Sequence, residues 1–370
     1  MSGIPTAEQA EHRLQQILRR GDVNLGAAAG CERLMLMLTR SCELRCGYCY
    51  VQKDEHAPSM PLSIARRAID LLMSSERPRL ELQIFGGEPT RRWDVLEGAL
   101  EHAFGHPRLG TRTLDLILTT NGIGLDEARL RLLERWPVTV LFSLDGDSVA
   151  HRRWRNAHLL DDGAAYAAVE RALQLLRASK VNWFMNAVLP PAAAGDVVPR
   201  FEWAKEHGIR AMQINYAVGM QWSEAQSERF LSGLRDLLHL HHRDPGGVHL
   251  YNWRSDCEPV MLSDDLIVDV DGSVMHDGAI FLERSFAKLK ETYARGHVDA
   301  LTRFDPLRWS LRKLYNVMST TYPEGSPERA ILLHNIRFGA AVDLLIQSVA
   351  RELGRSLSSG QRAPAGTRRA

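Results

Sequence analysis

The stretch RSCELRCGYCYV, residues 40–51, holds three of the five cysteines in this chain of 370 residues. Cys42, Cys46 and Cys49 follow a C-x3-C-x2-C spacing, and Tyr48 stands directly before the third cysteine. The apolar run RLMLMLT just before this stretch is typical of a β-strand, so the cysteines are expected in the loop that follows a strand. Clustered cysteines in a reduced compartment indicate metal ligands or redox groups.

Two kinds of metal site suit three neighbouring thiols. A structural zinc ion takes four ligands, usually from two closely spaced pairs. The other cysteines, Cys31 and Cys257, are single, which leaves His56 as a possible fourth ligand. A [4Fe–4S] cluster takes one thiolate per iron, so three cysteines would leave one iron open to a small molecule. The loop favours the cluster, and zinc is the alternative.

Outside this loop, short apolar runs alternate with amphipathic helical stretches. The strand-like runs are RLMLMLT (33–39), LELQIF (80–85), TLDLILTT (113–120), VTVLFSLDG (138–146), VNWFMNAVL (181–189) and IRAMQINYAV (209–218). This alternation predicts parallel strands joined by right-handed crossovers. Because a full barrel of this kind has eight repeats, the six runs predict an α/β fold with a partial (β/α)6 TIM-like barrel.

In such barrels the chemistry lies on the loops after the C-terminal ends of the strands. The predicted loops carry polar or unusual residues: Cys42 to Cys49, Gly86 to Thr90, Thr120-Asn121, Ser143 to Asp145, and Asn215-Tyr216. We therefore expect these side chains to converge on one rim of the barrel.

The composition limits the class of partner. Hydrophobic residues make up 45% and charged residues 25% of the chain, and the formal net charge is +1. These values are ordinary for a globular protein and give no reason to expect nucleic acid or an anionic membrane as a partner. The start of the sequence has no apolar signal-like segment, and no run reaches 18 uncharged apolar residues. We expect a cytoplasmic protein.

Two further segments occur in order along the chain. GGEP, residues 86–89, follows the second strand, and SLDGDSVAHRRWRN, residues 143–156, contains His151 and Arg155 after the fourth. Together with the cysteine loop they resemble the radical S-adenosylmethionine (SAM) superfamily, in particular its peptide- and sulfatase-maturing branch. The resemblance covers roughly residues 33–300 and implies an enzyme with one [4Fe–4S] cluster and SAM as cofactors.

The resemblance implies roles for the rim residues. Cys42, Cys46 and Cys49 would bind three irons, and the fourth iron would bind the amine and carboxylate of SAM. The other implied SAM contacts are Tyr48 at the adenine, Gly86, Gly87 and Glu88 at the amine, Asn121 beside them, Ser143 and Asp145 at the ribose, and Arg155 at the carboxylate. Each residue alone is also typical of a turn, of rim packing or of a solvated helix face, so their shared order along the chain favours the functional interpretation.

The segment VDVDGSVMHDG, residues 268–278, predicts a β-hairpin with Asp271 and Gly272 at its turn. It resembles the first hairpin of the SPASM or twitch domains, which hold auxiliary clusters in many members of this branch. His276 stands at the cysteine position, where a plain hairpin histidine is favoured over a metal ligand, and upstream only Cys257 remains. We expect a degenerate domain that keeps its fold and lacks the metal.

These patterns predict five regions. They are a lead-in helix in 1–32, the barrel in 33–245, the degenerate hairpin domain in 246–300, C-terminal helices in 301–354 and a disordered basic tail in 355–370. In the sulfatase-maturing relatives, the aspartate at the position of Asp277 is the general base. This residue would accept the proton that the substrate loses, although an aspartate before glycine is also good turn chemistry.

The expected function is the modification of a ribosomally synthesised peptide by C–H abstraction with the 5′-deoxyadenosyl radical. The alternatives are a small-molecule substrate, such as an aminocyclitol, a sugar or an amino acid, and a non-catalytic iron–sulfur sensor or electron carrier. Intact GGEP, Ser143 and Arg155 disfavour the sensor, which needs none of them. The enzyme would need an external one-electron reductant of the flavodoxin or ferredoxin type.

Overall fold

The computed structural model describes residues 3–19, 31–253, 262–263, 265–304, 307 and 309–357. Cys257 and most of the predicted basic tail lie outside the described residues. Within them, one ten-stranded sheet forms the centre of the molecule and helices cover it.

The sheet contains six parallel strands in the predicted order. They are β1 (Cys31–Met37), β2 (Arg79–Phe85), β3 (Thr113–Thr120), β4 (Val138–Ser143), β5 (Asn182–Leu189) and β6 (Ala211–Tyr216). Each pairs in parallel with the next, from β1 to β6. The prediction of a partial (β/α)6 barrel is confirmed.

Helices separate these strands and follow them. They are α1 (Ala7–Arg19), α2 (Leu62–Met73), α3 (Trp93–Phe104), α4 (Glu127–Leu133), α5 (Ser148–Trp154), α6 (Asp162–Ala178), α7 (Val197–Glu206), α8 (Glu224–Arg243), α9 (Gly278–Phe281), α10 (Lys288–Thr292), α11 (Leu311–Thr320) and α12 (Pro327–Glu352). Several begin with a side-chain cap; for example, Ser223 and Gln226 form a capping box at the start of α8.

The predicted hairpin continues the barrel sheet. Its strands are β8 (Leu266–Val268) and β9 (Ser273–His276), and β8 pairs in parallel with β1. With β7 (His249–Leu250) and β10 (Ala294–His297), the order is β10-β9-β8-β1-β2-β3-β4-β5-β6-β7. The hairpin thus shares hydrogen bonds with the first barrel strand, and the five region boundaries stay a prediction.

Alternate side chains of the barrel strands face the lumen. On β4, Val138, Val140 and Phe142 are buried against the helices, while Leu141 and Ser143 are partly exposed on the opposite face. On the β1–β2 side, the inward residues pack in a second apolar core with α9 to α12. The lumen is therefore filled on the β1–β2 side and accessible on the β4–β6 side.

Helix α12 has the length and composition of a membrane-spanning helix, but 56% of its most apolar window is buried inside the protein. The core helix of a protein, when mostly buried, passes the same test. Arg13 of α1 donates to Asp343 of α12 at 2.6 Å, and both side chains are buried. Asn335 of α12 also accepts from the backbone of Gly219 after β6.

We predict that Arg13→Met lowers the free energy of unfolding by about 3–5 kcal/mol, because it leaves the buried Asp343 carboxylate without its guanidinium partner. Urea unfolding of the cluster-free protein, followed by circular dichroism, measures the loss. The matched double variant Arg13→Met with Asp343→Leu should recover most of it. Equal instability of the single and double variants would contradict the ion-pair explanation.

Candidate functional site

The three cysteines lie on the loop after β1, at the C-terminal rim of the barrel. Cys42 and Cys46 are buried, and Cys49 is partly exposed. Burial raises the pKa of Cys42 to about 12 and also raises that of Cys46, where Arg155 and Lys53 act in the opposite direction. Two cations therefore stand near thiols that must be deprotonated to bind a metal.

The spacing of the sulfurs distinguishes between the two kinds of metal site. Within the described residues, the only group of three potential ligands with all donor atoms within 4.8 Å of one another is Asp70, His102 and His106. At least one pair of cysteine sulfurs is therefore wider apart. Around one tetrahedral zinc ion, sulfurs lie about 3.8 Å apart, given a Zn–S bond of about 2.3 Å. The spread of the thiols fits a multi-iron cluster better than one zinc ion.

Two glycines fix the cysteine loop against the sheet. The Gly87 amide donates to the Thr39 carbonyl at 2.6 Å, and the Glu88 amide donates to that of Ser41 at 2.9 Å. A Cβ on Gly87 would lie 2.2 Å from the Ser41 oxygen, and one on Gly86, which has a φ of +152°, would lie 2.5 Å from the Thr39 oxygen. These positions need glycine because the two backbones touch.

Glu88 joins the loops after β2 and β3. Its carboxylate accepts from the Thr90 amide at 3.1 Å, the Thr90 hydroxyl at 2.8 Å, the Thr120 hydroxyl at 2.7 Å and the Asn121 amide at 2.7 Å. Burial and the nearby Glu43 raise its pKa. The Asn121 side chain in turn lies 3.3 Å from Glu43 and 3.8 Å from the Cys42 sulfur. The GGEP segment and Asn121 are thus brought together beside the cysteine loop.

The partly buried Tyr48 and the buried Asp145 and Arg155 form a hydrogen-bonded group beside that loop. The Tyr48 hydroxyl donates to Asp145 at 2.5 Å, and Arg155 donates to the same hydroxyl at 3.0 Å. Burial opposes the charge of Arg155, but Tyr48, Cys46 and Asp145 raise its pKa. Among the described residues, the buried Arg155 Nε has no hydrogen-bond partner. One donor of this guanidinium is therefore available to a ligand.

Ser143 lies in a row of uncharged polar residues across the accessible side of the lumen. The strand register places Ser143 beside Asn186 of β5, and Asn186 beside Gln213 of β6. Asn215 donates to Asn186 at 2.7 Å and accepts from Gln213 at 3.1 Å. Asn186 and Gln213 are not among the site residues predicted from the sequence. The alternation of polar and apolar residues along β5 and β6 was the signal that could have indicated them.

A C-terminal segment contacts both ends of the cysteine loop, and sequence reasoning missed it. Arg40 donates to Glu283 at 2.5 Å and to Asp269 at 2.7 Å. Glu283 also accepts from the Gln52 amide at 2.8 Å. The next residue, Arg284, donates to the carbonyls of Gly47 and Cys49. No local pattern signals these contacts, because their partners lie far apart in sequence.

Asp277 lies directly after β9, at the end of the hairpin away from its turn. Leu266 pairs with Leu34 of β1 and with His276 of β9, so Asp277 is level with Arg33 and not with the cysteine loop. The side chain is buried, and burial and Asp265 raise its pKa well above the usual carboxyl range. His276 packs against aromatic rings, with the Trp309 ring at 4.9 Å.

The fold and the rim together define a partial α/β-barrel protein with a three-thiol loop after its first strand. The sequence profile of the radical SAM superfamily matches residues 36–220, and this chain belongs to that superfamily. Members use a [4Fe–4S] cluster and SAM.

Three curated relatives indicate the range of the superfamily. The chain is 23% identical over 172 residues to the radical SAM cyclopropyl synthase TigE of Paramaledivibacter caminithermalis (42% of this chain, 35% of the relative). It is 26% identical over 201 residues to the GTP 3′,8-cyclase of Erythrobacter litoralis (54% and 58%). It is 26% identical over 203 residues to the PqqA peptide cyclase of Gluconobacter oxydans (54% and 52%). The chain therefore spans about a third to three fifths of their lengths.

Solved structures support the fold. Native anSMEcpe with bound AdoMet matches with a TM-score of 0.67 at 17% identity, over 87% of this chain and 98% of that chain. Native anSMEcpe with AdoMet and the Kp18Cys peptide matches with a TM-score of 0.61 at 18% identity, over 83% and 84%. At this level of identity the likeness shows the shared architecture.

We predict that Gly87→Ala destabilises the protein by about 2–3 kcal/mol and lowers its iron content after reconstitution, because the added methyl group would overlap the Ser41 carbonyl. Gly47→Ala is the matched control in the same loop, since a Cβ there meets nothing within 4 Å. Thermal unfolding and iron analysis compare the two. Equal behaviour of both variants would show that the contact with Ser41 is not essential.

Proposed function

We propose that this chain is an enzyme that reductively cleaves SAM at a single [4Fe–4S] cluster held by Cys42, Cys46 and Cys49, and that it modifies a ribosomally synthesised peptide. The observation that carries the proposal is the set of three thiols, not all within 4.8 Å of one another, beside the partly buried Lys53 and the buried Arg155 at the barrel rim. When bound, the cluster and SAM supply a 5′-deoxyadenosyl radical that abstracts a substrate hydrogen.

The rim residues have distinct tasks in this proposal. Arg155 binds the SAM carboxylate through its unpaired Nε, and Tyr48 and Asp145 hold the guanidinium in place. Gly86 and Gly87 present their backbone to the SAM amine while they support the cysteine loop. Glu88 and Asn121 would support the loop that binds the amine, and Ser143, with its register partner Asn186, would hydrogen-bond the ribose.

The side chains that line the lumen favour a peptide as the substrate. Beyond Ser143 and Asn186, its accessible wall carries the partly exposed, uncharged Asn215, which suits the amides of a peptide. Arg33, the cation on the inner face of β1, is already paired with Glu81 and Asp265 at 2.5 Å and 2.8 Å. A triphosphate would need cations that are not engaged in this way, so the wall favours a peptide over a nucleotide.

The proposal includes a cytoplasmic location and an external one-electron reductant of the flavodoxin or ferredoxin type. It includes one cluster because Cys31 and Cys257 are single in the sequence. Asp277 is proposed as the proton acceptor for the substrate. This role requires its deprotonated form, which burial and Asp265 disfavour, so the pH dependence of the reaction tests it directly.

We predict that the anaerobically reconstituted protein holds about four iron and four sulfide per chain, and that it forms 5′-deoxyadenosine from SAM with dithionite as reductant. The Cys42→Ala, Cys46→Ala, Cys49→Ala triple variant should be colourless and inactive, while Cys31→Ala serves as the control. A cubane spectrum in the triple variant would mean that other residues hold a cluster.

We predict that Asp277→Asn keeps SAM cleavage but lowers product formation on the substrate peptide by about 10²–10⁴-fold, the usual contribution of a general base. In the parent enzyme, product per SAM cleaved should rise with pH through the raised pKa of Asp277, because only the carboxylate accepts a proton. Liquid chromatography of both products gives this ratio. A ratio that is flat with pH, or unchanged in the variant, would remove Asp277 from the mechanism.

A further inference from the structure

The exposed apolar side chains of this protein are concentrated in one place. Within the described residues, the large hydrophobic side chains classed as exposed are Val149, Leu159 and Leu160, which are 62%, 43% and 41% exposed. All three lie on α5 or on the segment directly after it. Such a concentration next to a functional loop is typical of an interaction site, whereas scattered single exposures are ordinary.

This segment packs directly on the cysteine loop. The Arg45 amide donates to the Asn156 carbonyl at 2.7 Å, the Gly47 amide donates to that of Trp154 at 2.9 Å, and the Leu159 amide donates to that of Glu43 at 3.2 Å. Gly47, between the second and third cysteines, is itself exposed. A protein that covers the segment would therefore lie against the outer side of the cysteine loop.

The exposed charges around Gly47 include three arginines. Arg152 and Arg153 are exposed on α5, and Arg153 lies over the ring of Trp154 at 4.7 Å. Arg284, also exposed, donates to the Gly47 carbonyl at 3.2 Å. These cations flank the exposed backbone of the loop.

The nearby carboxylates are engaged with the protein backbone. Asp147 caps α5 by accepting from the Ala150 amide, and Asp161 caps α6 by accepting from that of Ala164. Asp162 accepts from the Ala157 amide at 3.1 Å. Because helix N-termini and backbone amides offset their charge, the arginines are the less compensated charges of this surface.

We propose that Val149, Arg152, Arg153, Leu159 and Leu160 form a docking face for an acidic one-electron carrier protein. The inference rests on the proposed function, because only a redox cluster needs such a partner. One electron would pass from the reduced carrier, which is oxidised, to the cluster behind Gly47, which is reduced, and no bond forms or breaks. Apolar contacts at the centre and charge attraction at the edge are the usual composition of such interfaces.

The position of the face favours an electron carrier over the substrate peptide. The substrate must reach the lumen, where Ser143 and Asn186 line the accessible wall. An electron needs only a short path through the cysteine loop. At Gly47, where an added Cβ would meet nothing within 4 Å, the partner surface can approach the loop backbone closely.

The test compares two reductants on the same variants. Flavodoxin, reduced by its NADPH-dependent reductase, needs a docking face, whereas dithionite is a small anion that does not. For Arg152→Glu with Arg153→Glu, and for Leu159→Ser with Leu160→Ser, we expect the flavodoxin concentration at half-maximal 5′-deoxyadenosine formation to rise about 10-fold or more. Rates with dithionite should stay at the parent value. The parent rate with flavodoxin should fall with added salt.

The matched control is Arg66→Glu with Arg67→Glu, a second pair of adjacent exposed arginines, on α2. This pair should leave both reductants unaffected. Calorimetric titration of oxidised flavodoxin into each reconstituted protein adds a readout that does not depend on turnover, and it should show weaker binding only for the docking-face variants.

Two outcomes would overturn the docking face. One is an unchanged flavodoxin requirement in both double variants; the other is an equal loss with dithionite, which would mean that the face supports the cluster and not a partner. A parent protein that holds a cluster but forms no 5′-deoxyadenosine with dithionite would instead contradict the proposed function. In that case only the calorimetric titration tests the docking face. Weaker flavodoxin binding by the docking-face variants than by the parent protein supports the proposal, and equal binding overturns it.

Discussion

The contact between two backbones, at Gly86–Gly87 and at Thr39–Ser41, fixes the arrangement of the whole rim. Because added Cβ atoms would come within 2.2–2.5 Å of carbonyl oxygens, no side chain can separate the loops after β1 and β2. Glu88 follows at once, and its buried carboxylate binds the end of β3 through two hydrogen bonds, from the Thr120 hydroxyl and the Asn121 amide. Three successive loops therefore form one body, and the cysteines lie on it.

Charge compensation is the second requirement of this rim. The buried thiols of Cys42 and Cys46 and the buried carboxylate of Glu88 would repel one another, and burial favours their neutral forms. Lys53 and Arg155 supply the opposing charge from two sides. Each cation is held by polar partners, Lys53 by the Leu44 carbonyl at 2.8 Å and Arg155 by the Tyr48 hydroxyl at 3.0 Å. Arg155, which would orient SAM, thus also offsets negative charge in the cysteine loop.

The sequence predicts the barrel because each repeat carries its own signal: an apolar run, a polar loop and an amphipathic helix. It predicts the cysteines, GGEP and Arg155 because they are local motifs. It does not predict that β8 extends the sheet beside β1, since a three-residue strand has little pattern and its pairing is non-local. The link from Arg40 to Glu283 spans 243 positions, so only the folded chain shows it.

The sheet extension determines what Asp277 can do. Since β8 pairs with β1 and β9 returns alongside it, Asp277 lies level with Arg33, about four residues or roughly 13 Å along the strand from Met37, where β1 ends. There three carboxylates, of Glu81, Asp265 and Asp277, share one guanidinium, and burial raises the pKa values of Glu81 and Asp277. A neutral Asp277 cannot take a proton. The proposed role of Asp277 as proton acceptor therefore requires a change in this balance of charge, either through a higher pH or through a substrate that occupies the lumen.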